Sequence, residues 1–296
     1  MPTWLGMLGV ALAVLSAITS AFSVILVRRH SKESNTFNIS LIISLIGISV
    51  LWPLALILTD FAGANLMALL IFGLSGILTP GLVRLLYYQG MKKLGAPVNS
   101  SLYATYPLYT ALMAHFFLGD VLLAGNWLGI IMVFFSGILV ELSSREVNIE
   151  GHYQRRNILL PLIGGLTLGV GSIMRKFALD MFNAPVFGVA LAYTFSLLPF
   201  LAIYLASKPT RDAVTLKRDM RLFWVAGIGQ AVTWMLGFYA LSNADVSVVT
   251  SILSTEPVFV ALFAYVYLKK IEKVSAKLLV SIILTVIGII LVTMHF

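Results

Sequence analysis

The 296 residues are 59% hydrophobic and 11% charged, with a formal net charge of +8 and no cysteine. A soluble domain carries roughly 25% charged residues, so this composition excludes an ordinary water-soluble fold. The lack of cysteine excludes disulfides and thiolate metal sites. Backbone polar groups in a bilayer must be paired within helices or a closed barrel. The apolar runs lack the alternating polarity of a barrel, so helices are predicted.

Ten apolar segments follow one another along the chain, with polar loops between them. A transmembrane helix needs about 20 apolar residues, and most of the segments reach that length. The predicted fold class is therefore all-α, a polytopic membrane protein with ten transmembrane helices. The segments cover Thr3–Val27, Phe37–Leu58, Met67–Gly90, Pro97–Leu118, Trp127–Leu142, Ile158–Leu179, Pro185–Ala206, Leu222–Leu241, Val246–Leu268 and Lys277–Thr293.

Two of these segments are similar to each other. Ser100–Leu118 and Thr250–Leu268 match in hydrophobicity, in a central proline (Pro107 and Pro257) and in the Ala-Leu that follows it. A proline within a helix removes a hydrogen bond and kinks the helix, so both prolines are predicted helix kinks. The match predicts two repeats of five helices, which are inverted because five is odd, around a central cavity. The predicted division is 1–143 for the first repeat, 144–157 for a linker loop and 158–296 for the second repeat.

The positive charges predict the orientation. Of the 20 Lys and Arg residues, 17 lie in the loops that follow odd-numbered segments. Cytoplasmic loops carry an excess of Lys and Arg, which places the odd-numbered loops in the cytoplasm and both termini outside. Short basic loops between apolar runs also account for the net charge without a nucleic-acid partner. The predicted partners are the lipid bilayer and a small-molecule substrate.

Charged residues at three places inside these segments require an explanation. Glu256 lies near the centre of its segment, where a carboxylate costs roughly 2.5–3.5 kcal/mol. A low-dielectric environment makes a carboxyl group hold its proton more tightly, so Glu256 is either a proton-coupling or substrate-binding group or a structural tie between helices. Arg84 either extends to the cytoplasmic interface or faces the cavity and meets an anionic substrate or Glu256. Arg175 and Lys176 either extend to the interface at a helix end or contact a substrate carboxylate at an outer gate.

Polar aromatic residues concentrate in the same segments. Tyr103 and Tyr106 lie three residues apart, on one helical face in mid-segment, and are predicted to line the cavity. Gln230 and Trp234, one helical turn apart, are predicted to line it from the second repeat. Three further tyrosines lie near segment ends, a position typical of the interfacial aromatic belt: Tyr87, Tyr88 and Tyr239.

Small residues recur within two of the segments. Gly73 and Gly76 lie in the third, and Gly164 and Gly165 lie in the sixth. Small residues allow helix backbones to approach closely in a membrane. These glycines therefore predict tight helix packing.

The segment from Glu256-Pro257 to Leu262 resembles the fourth helix of EamA-type transporters of the drug/metabolite transporter superfamily. Their repeat carries a Leu-Glu-Pro-Val-Phe-like sequence there, and Tyr106 occupies the position of that Glu in the first half. The resemblance implies a central cavity lined mainly by the first, third and fourth helices of each repeat. It also implies a transport function, for which substrates within the superfamily range from amino acids to sugars and nucleotide conjugates.

The function predicted is a secondary transporter, an exporter of small metabolites such as amino acids, that works by alternating access in a prokaryotic plasma membrane. The sequence has no GxxxxGK[ST] motif for ATP, no cofactor is predicted, and protons are one candidate coupling ion. A lipid flippase or a nucleotide- or sugar-conjugate exchanger on the same fold are alternatives. An intramembrane enzyme would need paired acids, a Ser-His set or a metal cluster, which the sequence pattern does not offer.

Overall fold

The computed structural model describes residues 3–113, 124–146, 154–212, 214–268 and 275–293. Within these ranges the chain forms fifteen α-helices and no β-strand, which agrees with the all-α fold class. The helices are α1 (Thr3–His30), α2 (Thr36–Leu58), α3 (Leu66–Gly76), α4 (Val83–Leu94), α5 (Ala96–Tyr103), α6 (Tyr106–Met113), α7 (Ala124–Glu146), α8 (Leu159–Met181), α9 (Pro185–Phe195), α10 (Leu197–Ala206), α11 (Lys208–Asp212), α12 (Leu216–Asn243), α13 (Val246–Leu253), α14 (Glu256–Tyr267) and α15 (Ala276–Thr293).

Seven helical segments in the described ranges are long and apolar enough to cross a membrane, as a polytopic membrane protein requires. The end of the fourth predicted span (114–118) and half of the predicted linker (147–153) lie outside the described residues. The seven segments are Met7–His30, Thr36–Leu58, Leu66–Leu94, Arg156–Met181, Pro185–Ala206, Leu216–Asn243 and Val248–Tyr267.

Four of the predicted segments are interrupted, each just before a proline. Proline lacks the backbone N–H, and its ring clashes with the carbonyl group four residues earlier, so the helix breaks in the preceding turn. The interruptions are a π-helical turn at Ile77–Leu82 with Thr79 in an extended conformation (before Pro80), residues 104–105 (before Pro107), Ser196 (before Pro199) and residues 254–255 (before Pro257).

The breaks at Pro107 and Pro257 are alike in detail. Helices α6 and α14 each begin one residue before the proline. The hydroxyl of Thr105 donates to the Leu102 carbonyl at 2.8 Å, and that of Thr255 donates to the Ile252 carbonyl at 2.7 Å. Side-chain hydroxyls of this kind pair the carbonyl groups that a break leaves without a helical partner. Similar sequences have therefore produced the same local structure twice.

The packing of the helices is reciprocal: the first predicted segment contacts the eighth, and the sixth contacts the third. Helix α1 packs along α12, and α8 packs against α3 and α4. Helix α2 packs against α9, and α7 packs against α15. Hydrogen bonds join two of these pairs: Ser16 donates to the Thr233 carbonyl at 2.9 Å, and Thr285 donates to the Ser136 hydroxyl at 2.9 Å. Helices before residue 147 thus pack against helices after residue 158.

A buried carboxylate joins α2 to the start of α12. Asp219 is fully buried, and its Oδ2 accepts hydrogen bonds from Asn38 and Thr215, both at 2.8 Å. A carboxylate in the first turn of a helix also interacts favourably with the helix dipole. These contacts explain why α12 begins at Leu216, six residues before the predicted start of the eighth segment at Leu222.

Candidate substrate cavity

A cavity lies where six of the predicted segments meet, and it encloses about 980 Å³ of empty space, counting its open part. The wall comes from α1, the π-helical turn with α4, α5 with α6, α8, α12, and α13 with α14. The residues that line it are Ser16, Ala17, Ser20, Val24, Pro80, Val83, Arg84, Tyr87, Tyr88, Tyr103, Ala104, Tyr106, Leu168, Ser172, Arg175, Gln230, Thr233, Trp234, Gly237, Phe238, Leu241, Thr250, Leu253, Ser254 and Glu256.

Glu256 is placed in the cavity wall by the break in its helix. It is the first residue of α14, after the turn at 254–255. The residue is partly accessible, and its carboxyl group accepts hydrogen bonds from the Tyr87 hydroxyl at 3.2 Å and from the Ser20 hydroxyl. The carboxyl group is therefore held between α4 and α1 in the wall of the cavity.

Three tyrosines line the wall next to this carboxyl group. The ring centroids of Tyr87 and Tyr103 are 4.8 Å apart with the rings edge to face, and those of Tyr103 and Tyr106 are 6.3 Å apart. The Tyr106 hydroxyl donates to the carbonyl of Thr250 at 3.0 Å and so joins α6 to α13. The two broken helices thus meet at the cavity through residues of the matched segments.

Arg175, on α8, is buried in the wall with 4% of its surface exposed. Its Nη1 donates to Thr79 and its Nη2 donates to Ser172, both at 2.8 Å, and the guanidinium lies 4.9 Å from the centre of the Trp234 ring. Thr79 belongs to the π-helical turn, where its backbone leaves the helical conformation. This change directs its side chain toward Arg175. Gly171 leaves room for that turn, since a Cβ there would lie 2.5 Å from the Thr79 hydroxyl oxygen.

Arg84, on α4, is also 4% exposed. Its Nη1 donates to the hydroxyl of Ser44, and its guanidinium lies 4.8 Å from the centre of the Tyr193 ring. The Tyr193 ring packs edge to face against Trp234 at 6.4 Å. The two arginines therefore lie at opposite ends of a row of aromatic rings that joins α4, α9, α12 and α8.

Helix α12 supplies neutral polar groups to the wall. Gln230 and Thr233 are both largely buried, and the Thr233 hydroxyl has no hydrogen-bond partner. Within the described part of the chain, no three His, Asp or Glu side chains lie together as a metal site requires. The arrangement suits non-covalent binding of a small polar ligand with an apolar body.

Comparison with known proteins supplies the family. The model of the EamA-like transporter family matches the chain twice, at residues 7–142 and 155–294. The chain belongs to the EamA-like transporter family. It is 27% identical over 291 residues to a protein of Archaeoglobus fulgidus named as an uncharacterized transporter, with 96% of this chain and 98% of that protein covered.

A solved structure shares the fold of this EamA-like chain. It is a crystal structure of a protein with 16% sequence identity and a TM-score of 0.64, and the match covers 99% of this chain and 98% of that one. At this identity the likeness concerns the fold alone. The family match makes the protein a membrane transporter. Its architecture is that of an all-helical membrane protein.

All six residues that the sequence suggests for substrate binding line the cavity of this EamA-like protein: Glu256, Arg84, Tyr103, Tyr106, Gln230 and Trp234. Pro107 and Pro257 are outside the wall, and each is the second residue of the helix that follows a break. The structure therefore brings residues from distant parts of the chain to one place.

Two interpretations of the sequence are wrong. Tyr87 and Tyr88 belong to the cavity and not to the interfacial belt, with 7% and 2% of their surfaces exposed. Arg175 does not extend to the interface, whereas its neighbour Lys176 does lie at the surface, in an ion pair with Asp180 at 2.9 Å. The spacing from Arg84 could have predicted the tyrosine positions, because residues three and four apart share a helical face.

Proposed function

We propose that this member of the family is a secondary transporter that exports small amphipathic metabolites, such as amino acids, by alternating access. The observation that carries the proposal is a cavity lined by helices from both matched halves, with Glu256, Arg84 and Arg175 in its wall. Ionisable residues within membrane spans are costly and mark substrate or ion pathways.

Alternating access requires two units that can move against each other. The reciprocal packing of α1 with α12 and of α8 with α3 and α4 supports such units, since a two-fold relation makes each unit contact the other with the same surface. The two family matches and the two alike proline breaks support a duplication. We assign residues 1–143 and 158–296 to inverted repeats joined by the linker 144–157.

The chemistry of the wall matches an amino acid. Glu256 can accept hydrogen bonds from an ammonium group, and an arginine can donate to a carboxylate. The rings of Tyr103, Tyr106 and Trp234 can contact the apolar part. Protons are the coupling ion that we propose, because Glu256 is a titratable group open to the cavity. The charge bias of the loops supports a plasma membrane location with odd-numbered loops in the cytoplasm.

The experiment that tests this function is solute counterflow in proteoliposomes. The purified protein is reconstituted with a mixture of unlabelled amino acids inside, and labelled amino acids are added outside one at a time. We expect accumulation of at least one labelled amino acid above that in protein-free liposomes, with mass spectrometry recovering it unaltered. A lack of exchange for every amino acid, or chemical conversion of the solute, contradicts the proposal.

A further inference from the structure

The cavity wall holds more positive than negative charge. Of the described residues that line it, three carry a formal charge: Arg84, Arg175 and Glu256. The described part of the chain has ion pairs elsewhere, such as Lys176 with Asp180, but none that includes any of these three residues. The wall therefore carries one excess positive charge when Glu256 is ionised and two when it is protonated. In both states an anion would lower the electrostatic energy of the site.

Arg175 has one donor without a protein partner. Its Nη atoms are held by the hydroxyl groups of Thr79 and Ser172, which are neutral, and its Nε has no hydrogen-bond partner. The Trp234 ring covers the guanidinium at 4.9 Å without neutralising it. A buried donor without a partner is costly, and the guanidinium as a whole, in a residue that lines the cavity, has no negatively charged protein partner.

Arg84 repeats this arrangement on the other side of the aromatic row. Its Nη1 is bound to the neutral Ser44 hydroxyl, and its Nη2 has no partner. The Thr233 hydroxyl is a third buried group in the wall without a partner. By contrast, the carboxyl group of Glu256 already accepts a hydrogen bond from Tyr87. The buried polar groups of the wall that have no hydrogen-bond partner are thus mainly donors.

We propose that the cavity is selective for organic anions, and that Arg175 is the anchor of a substrate carboxylate. The ligand group that we propose is a carboxylate, which a guanidinium binds through charge-assisted hydrogen bonds. The tyrosine and tryptophan rings suit an apolar or aromatic body. This proposal rests on the transport function above and narrows its substrates to keto acids, acidic amino acids and their analogues.

A charge series tests the selectivity directly. Phenylpyruvate, phenylalanine and phenethylamine share an aromatic body and carry net charges of −1, 0 and +1, and glutamate and glutamine form a second matched pair. Binding is measured as ligand-induced thermal stabilisation of the wild-type protein in detergent. We expect the anion of each set to stabilise at a concentration about tenfold or more below its neutral or cationic partner, as a charge-assisted hydrogen bond implies. Equal or tighter binding of phenethylamine, or no binding of any anion, overturns the proposal.

Variants assign the anchor. Arg175→Gln should weaken phenylpyruvate binding about tenfold or more and reduce the discrimination between phenylpyruvate and phenylalanine. Arg221→Gln removes an exposed arginine near the start of α12 and should leave both unchanged. If Arg175→Gln does not fold, Arg175→Lys keeps the charge and loses the Nε donor, and should show reduced discrimination. Wild-type discrimination in either Arg175 variant overturns the anchor.

The two proposals fail in different ways. If labelled solutes exchange in proteoliposomes but cations compete as well as anions, the anion selectivity is wrong and the transport function stands. If anions stabilise the protein selectively but neither an amino acid nor phenylpyruvate exchanges in proteoliposomes, the anion site stands and the transport function is wrong.

Discussion

At the scale of residues, the chemistry of the cavity depends on which side chains the helix breaks expose. Glu256 begins α14, and its carboxyl group contacts Tyr87 while remaining partly accessible. A continuous helix would keep the carbonyl groups of this turn paired and would fix the side chain to the helix surface. The break therefore gives a mid-span acid access to the cavity.

A proton-coupled transporter should lose its pH dependence when Glu256 is replaced. We expect Glu256→Gln to keep counterflow but to flatten its pH profile between about pH 5 and 8, because the amide cannot titrate. Tyrosine and arginine side chains, such as those of the neighbouring Tyr87 and Tyr103, do not normally titrate in this range. The measurement is the initial rate of amino-acid counterflow in proteoliposomes at a series of pH values.

The matched control is Glu33→Gln, which removes an exposed carboxyl group that pairs with His30. This variant should keep the wild-type profile. A pH dependence that survives in Glu256→Gln with unchanged slope would exclude Glu256 as the coupling group.

The cavity residues were predictable to different degrees. Glu256 and Arg84 are recognisable because a charged residue inside an apolar segment needs a reason. Arg175 could not be assigned, because its distance from a helix end allows extension to the interface equally well. Only the packing of α8 against the π-helical turn directs it to Thr79.

At the scale of helices, close packing positions the cavity wall. Of the glycines in the third and sixth segments, Gly73, Gly76 and Gly165 pack tightly as predicted, and Gly164 does not. A Cβ on Gly76 would lie 2.2 Å from the backbone oxygen of Ala192, whereas a Cβ on Gly164 would meet nothing nearer than the Tyr103 ring at 3.5 Å. The contact between α3 and α9 therefore admits only glycine, and that between α8 and α5 tolerates alanine at position 164.

We expect Gly76→Ala to destabilise the protein by about 1–3 kcal/mol, the usual cost of overpacking, because backbone atoms cannot move aside as a flexible side chain can. Gly164→Ala serves as the matched control and should leave stability nearly unchanged. The measurement is the thermal unfolding midpoint in detergent. Equal midpoints for the two variants would contradict the packing described here.

The sequence predicted the helices better than their interruptions. Apolar length gives the segments, and Pro107 and Pro257 predicted kinks in two of them. The break at Ser196 and the π-helical turn at Ile77–Leu82 were not predicted, because proline inside a helix does not always break it: α2 contains Pro53 and continues to Leu58. Whether a proline breaks its helix depends on the neighbours that pair the freed carbonyl groups.

At the scale of the whole molecule, we propose that two halves enclose one cavity and expose it alternately. Each half supplies three of the predicted segments that form the wall, and the contacts between halves are reciprocal. The repeat of the proline motif predicted the duplication, and the resemblance to EamA-type transporters implied which helices line the cavity. The sequence does not specify the contacts between halves, since they join residues as far apart as Ser16 and Thr233.

The most direct test of alternating access uses the lack of cysteine in the chain. Ser20→Cys places one thiol in the cavity wall, and Ser136→Cys places one in the buried contact between α7 and α15 as a control. A membrane-impermeant maleimide is applied to proteoliposomes from the outside or from the lumen, with the orientation of the protein fixed. We expect the thiol of the Ser20→Cys variant to be labelled from either side, with a transported solute slowing both reactions, and that of the Ser136→Cys variant to be labelled from neither. Labelling of the Ser20→Cys variant from one side only, whether or not solute is present, would contradict alternating access.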